Sequence, residues 1–397
     1  MPDQPLRVAY IADGKLFIYE HGRGIKPVES PFVEKLLDRA QTERDRNSWK
    51  DDSVGWNAAA GNRMPFGLKP RADAATRRIE FTGLDRGNPG ELVYALDTNV
   101  TAGLFRQSLE DHSELRMYHR QGFRARDLAR HPDGTLAMSL RNEDGTAHIA
   151  IMAAEGRGPR PCTEGDVVDE HPSWIRGETG CIVYQSAGIG RNQQGMVVAY
   201  GPYSIVRMDM NSQNVETLME DSRFDFLSPR VVAGPQSPAS TLYFIRRPYQ
   251  IVPPVSLVRL LSDVLLFPYR VCRAIVHFLH FFSMVFARKP LITASGPPRQ
   301  DVGQRYMMLW GKMIDAEEAM RNNRSGGALV PKNWELIKRD LATGEEVAIA
   351  NSVVSFDLDP NGEVVWSNGA AVFRQPSGSA AEKLLAAKMV ERVVVAG

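Results

Sequence analysis

The sequence predicts an all-β chain, a six-bladed β-propeller with a helical insertion in its fifth blade and a few peripheral helices. A phrase of turn, strand, turn and strand recurs six times, clearest over residues 131–152 (HPDGTLAMSLRNEDGTAHIAIM). Two copies open on His131-Pro132 and His171-Pro172, 40 residues apart, a period that suits propeller blades. Each unit is a small twisted sheet that cannot bury both faces alone, whereas a closed ring of such units buries them all. Closure brings the two chain ends together, so strand 7–11 or strand 392–396 completes a shared blade.

The turn chemistry justifies each element. Pro132 presets φ, Asp133 bonds the backbone beyond it and Gly134 tolerates positive φ. Residues 136–139 are then a strand, Asp144-Gly145-Thr146 a hairpin turn, and 149–152 the return strand, with His148 leading into it. Earlier, 7–20 (RVAYIADGKLFIYE) reads as strand, Asp13-Gly14 turn, strand. Residues 31–50 read as a helix, with Ser30 as N-cap, Pro31 in the first turn and Phe32, Leu36, Leu37 and Ala40 at helical spacing. Residues 51–76 read as loop, and strands 77–81 and 91–97 flank a loop at 84–90. The fourth unit holds strand 181–186, a glycine-containing connection 187–202 and strand 203–210. The fifth holds strand 241–246 (TLYFIR), whose return strand is postponed to 334–341 (WELIKRDL) before a Thr343-Gly344 turn. The sixth runs from the Asp359-Pro360-Asn361-Gly362 turn through strand 363–367, an Asn368-Gly369 turn and strand 370–374. A helix at 379–389 and a strand at 392–396 finish the chain.

Of the 397 residues, 43% are hydrophobic and 24% charged, the balance of a globular chain. A net charge of +1 provides no global field for nucleic acid, which is therefore not an expected partner. Cys162, Cys181 and Cys272 show neither CxxC nor zinc spacing, which favours a reducing compartment. The first twenty residues lack the basic stretch and apolar run of a signal peptide. The expected location is the cytoplasm, peripheral to the inner face of the membrane.

The phrase PDG, an apolar strand ending in Ser, a polar Gly turn and Ile-x-hydrophobic-Met resembles the WD40-like (PD40) repeat of TolB-type β-propellers. Residues 131–152 match it well, 359–373 match in the turn and first strand, and 171–209 match with a lengthened loop. The other three copies are degenerate, and the resemblance covers about two-thirds of the chain. It implies the fold rather than a function. TolB is exported and carries an additional N-terminal domain. The sequence shows no signal peptide and no room for that domain before residue 6, so the periplasmic role is not expected to carry over.

The expected organisation is blades one to the first part of five over 1–250, the insertion over 251–333, and the remainder of blade five, blade six and ring closure over 334–397. Within the insertion, 253–291 is strongly apolar and aromatic. Its longest charge-free run, 274–287, is short of the ~20 residues a bilayer crossing needs, and Pro268 kinks or divides it. Ser256, Arg259, Asp263, Arg270, Arg273, His277 and His280 line one face. Leu257, Leu260, Leu261, Val264, Ile275, Phe278, Leu279, Phe282 and Phe286 line the other, with Arg288 and Lys289 at the end. Such a segment suits a membrane surface. The same apolar face suits a protein partner, self-association or packing on the propeller. Residues 302–322 read as a further covering helix.

The residues offer little chemistry. There is no G-x-S-x-G elbow, HExxH motif or metal-spaced histidine cluster, and no catalytic, cofactor or metal residue is expected. Asp357-Leu358-Asp359-Pro360-Asn361-Gly362 matches half of a calcium loop, but its twelfth position is Asn368, so an Asx-stabilised turn is expected. Gly188, Gly190 and Gly195 lack phosphate-loop spacing. Their loop instead offers Arg191, Asn192, Gln193 and Gln194 as polar contacts on a propeller face. His131 and His171 occupy equivalent repeat positions and are expected to bond a neighbouring blade's backbone. Asp169 and Glu170 beside His171 lack a nucleophile. Arg120, Arg124, Arg126 and Arg130 read as a charged blade edge. The expected function is a noncatalytic protein-interaction scaffold tethered through the insertion. The alternatives are a hydrolase or lyase, or a small-ligand sensor, using the central cavity. Grouped titratable side chains on the axis would point to those.

Overall fold

Asp13 and Gly14 turn the first hairpin with φ of 51° and 68°. Strands Arg7–Ala12 and Lys15–Glu20 then pair from Arg7↔Glu20 to Ala12↔Lys15. The same Asp-Gly logic recurs at Asp144, whose Oδ1 accepts the Thr146 N–H at 3.0 Å, and at Asp133, whose Oδ1 accepts the Thr135 N–H at 2.7 Å. The computed structural model describes residues 6–39, 41–42, 46, 79–98, 101–154, 157–232, 241–249, 306–309, 312–315, 327–359, 362–376 and 379–396.

The strands form antiparallel sheets in chain order. A terminal sheet orders Val390–Val395, Arg7–Ala12, Lys15–Glu20 and Gly24–Pro27. The two ends of the chain thus share one sheet, with Val8 opposite Val395 and Tyr10 opposite Val393. A second sheet holds Glu80–Arg86, Glu91–Asp97, Ala102–Ser108 and Glu114–Arg120. A nine-stranded sheet follows in two halves. The first half comprises Ala125–Arg130, Leu136–Arg141, Ala147–Met152 and Arg160–Pro161. The second comprises Val167–Trp174, Cys181–Arg191, Ser204–Asp209 and Asn214–Met219, with Val197–Tyr200 as a spur. The single parallel pair Ala147↔Val168 joins the halves. A split sheet holds Phe224–Val232, Thr241–Pro248, Glu335–Asp340 and Glu346–Asn351. The last sheet holds Ser355–Leu358, Val364–Ser367, Ala371–Gln375 and Glu382–Ala386.

Alternation along the inner strands buries both faces, while outer strands such as Gly24–Pro27 are exposed. Val8, Tyr10 and Ala12 pack with Val365, Val372 and Leu385 of the last sheet, while Ala9 and Ile11 pack with Leu84, Tyr94 and Phe105 of the second. Val93 and Leu104 meet Leu128 and Met138, and Ile149 meets Ile182 and Val206. Val183 and Ile205 meet Leu242 and Phe244, and Leu227 and Ile245 meet Phe356 and Trp366. Every sheet is therefore covered by the one before and the one after, and the last by the first. That cyclic succession is a β-propeller. Each large apolar side chain buried this way contributes roughly 1.5–3 kcal/mol.

The postponed return strand lies where the sequence places it. Thr241 pairs with Asp340 and Arg246 with Glu335. After Ser30 the described residues 31–39, 41–42 and 46 are helical, and Ser30 Oγ accepts the Val33 N–H at 3.4 Å. The Asp359 turn is Asx-stabilised, its Oδ1 accepting the Glu363 N–H at 2.7 Å. Three expectations need correction. The stretch 379–389 is not a helix: Glu382–Ala386 pairs with the strand ahead of it, Ala371 opposite Ala386. Pairing there overrides the helical propensity of its Leu, Ala and Lys residues. Likewise, Tyr306–Leu309 and Lys312–Asp315 form a two-stranded sheet inside the expected helix 302–322. The expected loop at 84–90 is strand through Arg86. The chain divides into two compact units, Met1–Pro248 with Met307–Gly397, and Tyr249–Tyr306. The amphipathic stretch 253–291 lies outside the described residues, among which no helix is long and apolar enough to cross a membrane.

Candidate axial site

The leading strand of each sheet carries most of the buried charge. Four of these strands are bulged, their registers slipping between Phe81 and Gly83, Arg126 and Ala129, Glu170 and Ser173, and Leu227 and Arg230. A bulge sets two residues against one and re-aims a side chain. In three of them the re-aimed residue is Asp127, His171 or Ser228, with φ of 52°, 53° and 53°. Left-handed backbone at a non-glycine residue costs of order 1–3 kcal/mol and needs surroundings that enforce it.

Those surroundings are each other. The Asp127 carboxylate lies 2.9 Å from His171 Nε2 and 2.5 Å from Arg392 Nη1. Arg392 also donates to the Leu128 carbonyl at 3.2 Å. His171 Nδ1 lies 3.4 Å from Ser228 Oγ, and the Ser228 N–H donates to Gln185 Oε1 at 2.8 Å. This partner set assigns the neutral tautomer in which Nε2–H donates to Asp127 and Nδ1 accepts from Ser228. Burial penalises the Asp127 charge, but His171 and Arg392 more than offset that and hold its carboxyl well below the usual range. Burial also lowers His171 below the ordinary imidazole value, against the pull of Asp127. All four polar residues are at least nine-tenths buried. An Asp, a His and a Ser in one chain of bonds are the residue types of a hydrolytic relay. Here Arg392 shares the carboxylate oxygen, and none of the three lines the adjoining cavity.

That cavity, of 470 Å³, opens at one end of the leading strands. Its lining includes Asp85, Arg86, Arg130, Trp174, Arg176, Arg230 and Asp357, from five stretches of sequence. Asp85 Oδ2 accepts the Arg130 N–H at 2.5 Å, and Asp357 Oδ2 accepts the Val395 N–H at 2.9 Å. Trp174 donates its indole N–H to Ala129 at 2.9 Å. Burial raises the Asp85 carboxyl, with Arg86 and the Arg130 N–H working against it. A deeper pair, Asp225 and Arg247, is closed at 2.7 Å with both side chains 2% exposed.

The histidines behave differently from expectation. His131 lies in the turn after its strand, 2.9 Å from Asp133 Oδ1, whereas His171 lies inside a strand. They are not equivalent, and the positional counterpart of His171 is Asp127. Nor is the His171 partner a backbone group, since it bonds the Asp127 and Ser228 side chains. Arg126 and Arg130 belong to a leading strand rather than an outer edge, and Arg130 lines the cavity. Arg191 donates to Asp166 at 2.8 Å and to the carbonyls of Asp144 and Gly195 at 3.0 Å. Asn192 Oδ1 accepts the N–H groups of Gln194 and Met196. These two residues therefore hold their own hairpin together, and Gln193 and Gln194 are exposed. On that hairpin Met196, Val198 and Tyr200 are 62%, 63% and 43% exposed. Sequence reasoning missed this stripe, although its alternation was there to see. Leu257, Leu260, Leu261, Val264, Ile275, Phe278, Leu279, Phe282, Phe286, Arg288 and Lys289 lie outside the described residues.

Solved structures that resemble the protein include TolB from Acinetobacter baumannii, with a TM-score of 0.50 at 12% identity over 100% of this chain and 68% of that one. Tricorn protease gives 0.46 at 11% identity over 100% and 34%. The putative TolB from Agrobacterium tumefaciens gives 0.42 at 14% identity over 78% and 82%. The first likeness shows a TolB-like β-propeller fold and, at that identity, the fold alone. No family model and no curated protein matches the sequence.

Proposed function

We propose that this TolB-like propeller is a noncatalytic protein-interaction scaffold of six blades, whose partner docks on the ribbon formed by Cys181–Arg191 and Val197–Tyr200. The observation that carries this reading is the stripe of Met196, Val198 and Tyr200. These are three of the eight exposed large hydrophobics among the described residues, and they sit at alternate positions. Alternate residues of a strand share one face. On the other face Val197 is half-buried beside Gly145, where an added Cβ would come within 3.0 Å of it. An edge strand with an apolar row on one face suits an added strand from another protein, whose alternate side chains extend that row. Cytoplasmic location, with residues 253–291 tethering the scaffold to the inner membrane surface, completes the proposal and rests on the amphipathic sequence pattern.

A photo-crosslinking phenylalanine analogue at position 200 of the full chain, expressed in its own cells, tests the docking. One discrete adduct is expected, absent from position 115 on an outer strand and removed by Val198→Lys. Equal adducts from both positions, or none, would refute it. Flotation with anionic liposomes, with and without residues 253–291, tests the tether, which fails if both forms stay unbound. The cavity favours one other reading, a ligand sensor.

A further inference from the structure

We propose that the cavity at the end of the leading strands binds a small multivalent oxyanion, a molecule carrying carboxylate or phosphate groups, through Arg86, Arg176 and Arg230. The site is separate from the ribbon, so this inference stands or falls independently of the scaffold reading.

The argument is one of donors and acceptors. A guanidinium offers five N–H donors in a planar fork that matches carboxylate and phosphate oxygens. Arg86 comes from the second sheet, and its described contacts are the Leu358 carbonyl at 3.4 Å and Asp357 at 4.0 Å. Arg230 comes from the split sheet and reaches the Pro172 and Pro229 carbonyls at 3.5 and 3.4 Å and Asp357 at 3.8 Å. These are long for charge-assisted bonds, which close to about 2.7–2.9 Å when well made. Arg176 follows Trp174 in the next turn, is exposed, and makes no hydrogen bond or ion pair among the described residues. The three forks face one space and none is saturated.

The acids in the same space do not fill that need. Asp85 is held by the Arg130 N–H at 2.5 Å and Asp357 by the Val395 N–H at 2.9 Å, so the frame pins both carboxylates. Asp357 is left to serve Arg86 and Arg230 together at a distance. The charge balance registers in the arginines. Partial burial and the neighbouring Arg86 lower Arg176, and burial lowers Arg230, whereas Asp357 raises Arg86. An arriving anion would relieve Arg176 and Arg230. At 470 Å³ the cavity is the size of ordinary small-ligand sites and too small for a folded partner. Trp174, fixed by its bond to Ala129, and Pro132 supply an apolar wall beside the charges.

Isothermal titration of the full chain with pyrophosphate and, separately, with citrate tests the site, against sodium chloride at matched ionic strength. Saturable binding of either is expected, and which of the two binds more tightly distinguishes a phosphate from a carboxylate ligand. Arg176→Gln should weaken it about tenfold, the effect of losing one hydrogen bond to a charged group. Arg120→Gln, on an exposed outer strand, should leave it unchanged. Arg176 is exposed, so its variant should fold, and an unchanged melting temperature confirms that. Heats no larger than those of sodium chloride for both probes overturn the proposal. So does an Arg176→Gln protein that binds as tightly as the unaltered one, or equal loss in Arg120→Gln.

Discussion

Arg392 in the last strand closes on Asp127 at 2.5 Å, linking residues 265 positions apart in the chain. Pairing of Val390–Val395 with Arg7–Ala12 joins the two ends of the chain within one sheet, and this ion pair ties the leading strand of that sheet to Ala125–Arg130. Both side chains are about nine-tenths buried, so removing one leaves the other charged in a poorly solvated place. Arg392→Leu should cost about 3–5 kcal/mol. The double variant with Asp127→Asn should recover part of that. Urea denaturation of the four proteins in the cycle decides it, and additive losses would show that the pair is not coupled.

His171 gives stability a pH dependence. Burial holds its folded-state value below the ordinary 6.5, so the fold prefers the neutral ring. The unfolded chain takes up the proton first on acidification. The stabilisation is present above about 6.5 and is lost as pH falls through that value. Asp127, held below its ordinary 3.8, adds a second loss at lower pH. His171→Gln should flatten the dependence of urea midpoint on pH between 7.5 and 5, where one proton corresponds to at most about 1.4 kcal/mol per pH unit. Parallel curves for both proteins would remove the imidazole from the account.

Ser30 holds the entry to the helix that follows it. Its hydroxyl donates to Glu114 Oε1 at 2.5 Å and accepts from Val33, while Glu114 Oε2 takes the Phe32 N–H at 2.9 Å. Ser30→Ala should destabilise by about 1 kcal/mol, the ordinary worth of an N-cap. A change in thermal midpoint with no change in sheet circular dichroism is the expected signature. A silent substitution would mean that Glu114 alone fixes the helix.

Two glycines separate backbone strain from crowding. Gly369 and Gly22 have φ of 84° and 80°. A Cβ on Gly369 would meet the Leu329 side chain at 2.7–2.8 Å, and one on Gly22 would meet nothing within 4 Å. Both alanine variants carry the φ penalty, and only Gly369→Ala adds overpacking, worth typically 1–3 kcal/mol. Equal losses by calorimetry would contradict the contact.

Strands bounded by turn chemistry were legible in the sequence. Thr241–Pro248 found its partner at Glu335–Asp340 because each is a short apolar run bounded by turn residues. The leading strands were much less legible. Ala125–Arg130 and Val167–Trp174 carry Arg, Asp, Glu and His in place of alternation, and their bulges break the period of two. The 40-residue spacing therefore aligned His171 with His131 rather than with Asp127. No local motif could reveal a cavity whose arginines stand at 86, 130, 176 and 230, since only closure of the ring brings them together. Over 379–389 Leu and Ala at short intervals suit a helix, and the waiting strand Ala371–Gln375 draws Glu382–Ala386 into the sheet instead.

The return strand that waits until Glu335 makes the split sheet a graft site. Arg246 stands opposite Glu335, so the intervening segment leaves and re-enters the sheet at adjacent points, as a two-residue turn would. Closing a flexible loop costs free energy only as the logarithm of its length. Ala328, Leu329 and Val330 are buried and the Leu329 N–H donates to the Asn368 carbonyl, so the part that can lengthen, shrink or be exchanged lies before them. Recombination could thus fit one ring with many attachments, and the ring's fold would place no constraint on what those attachments bind.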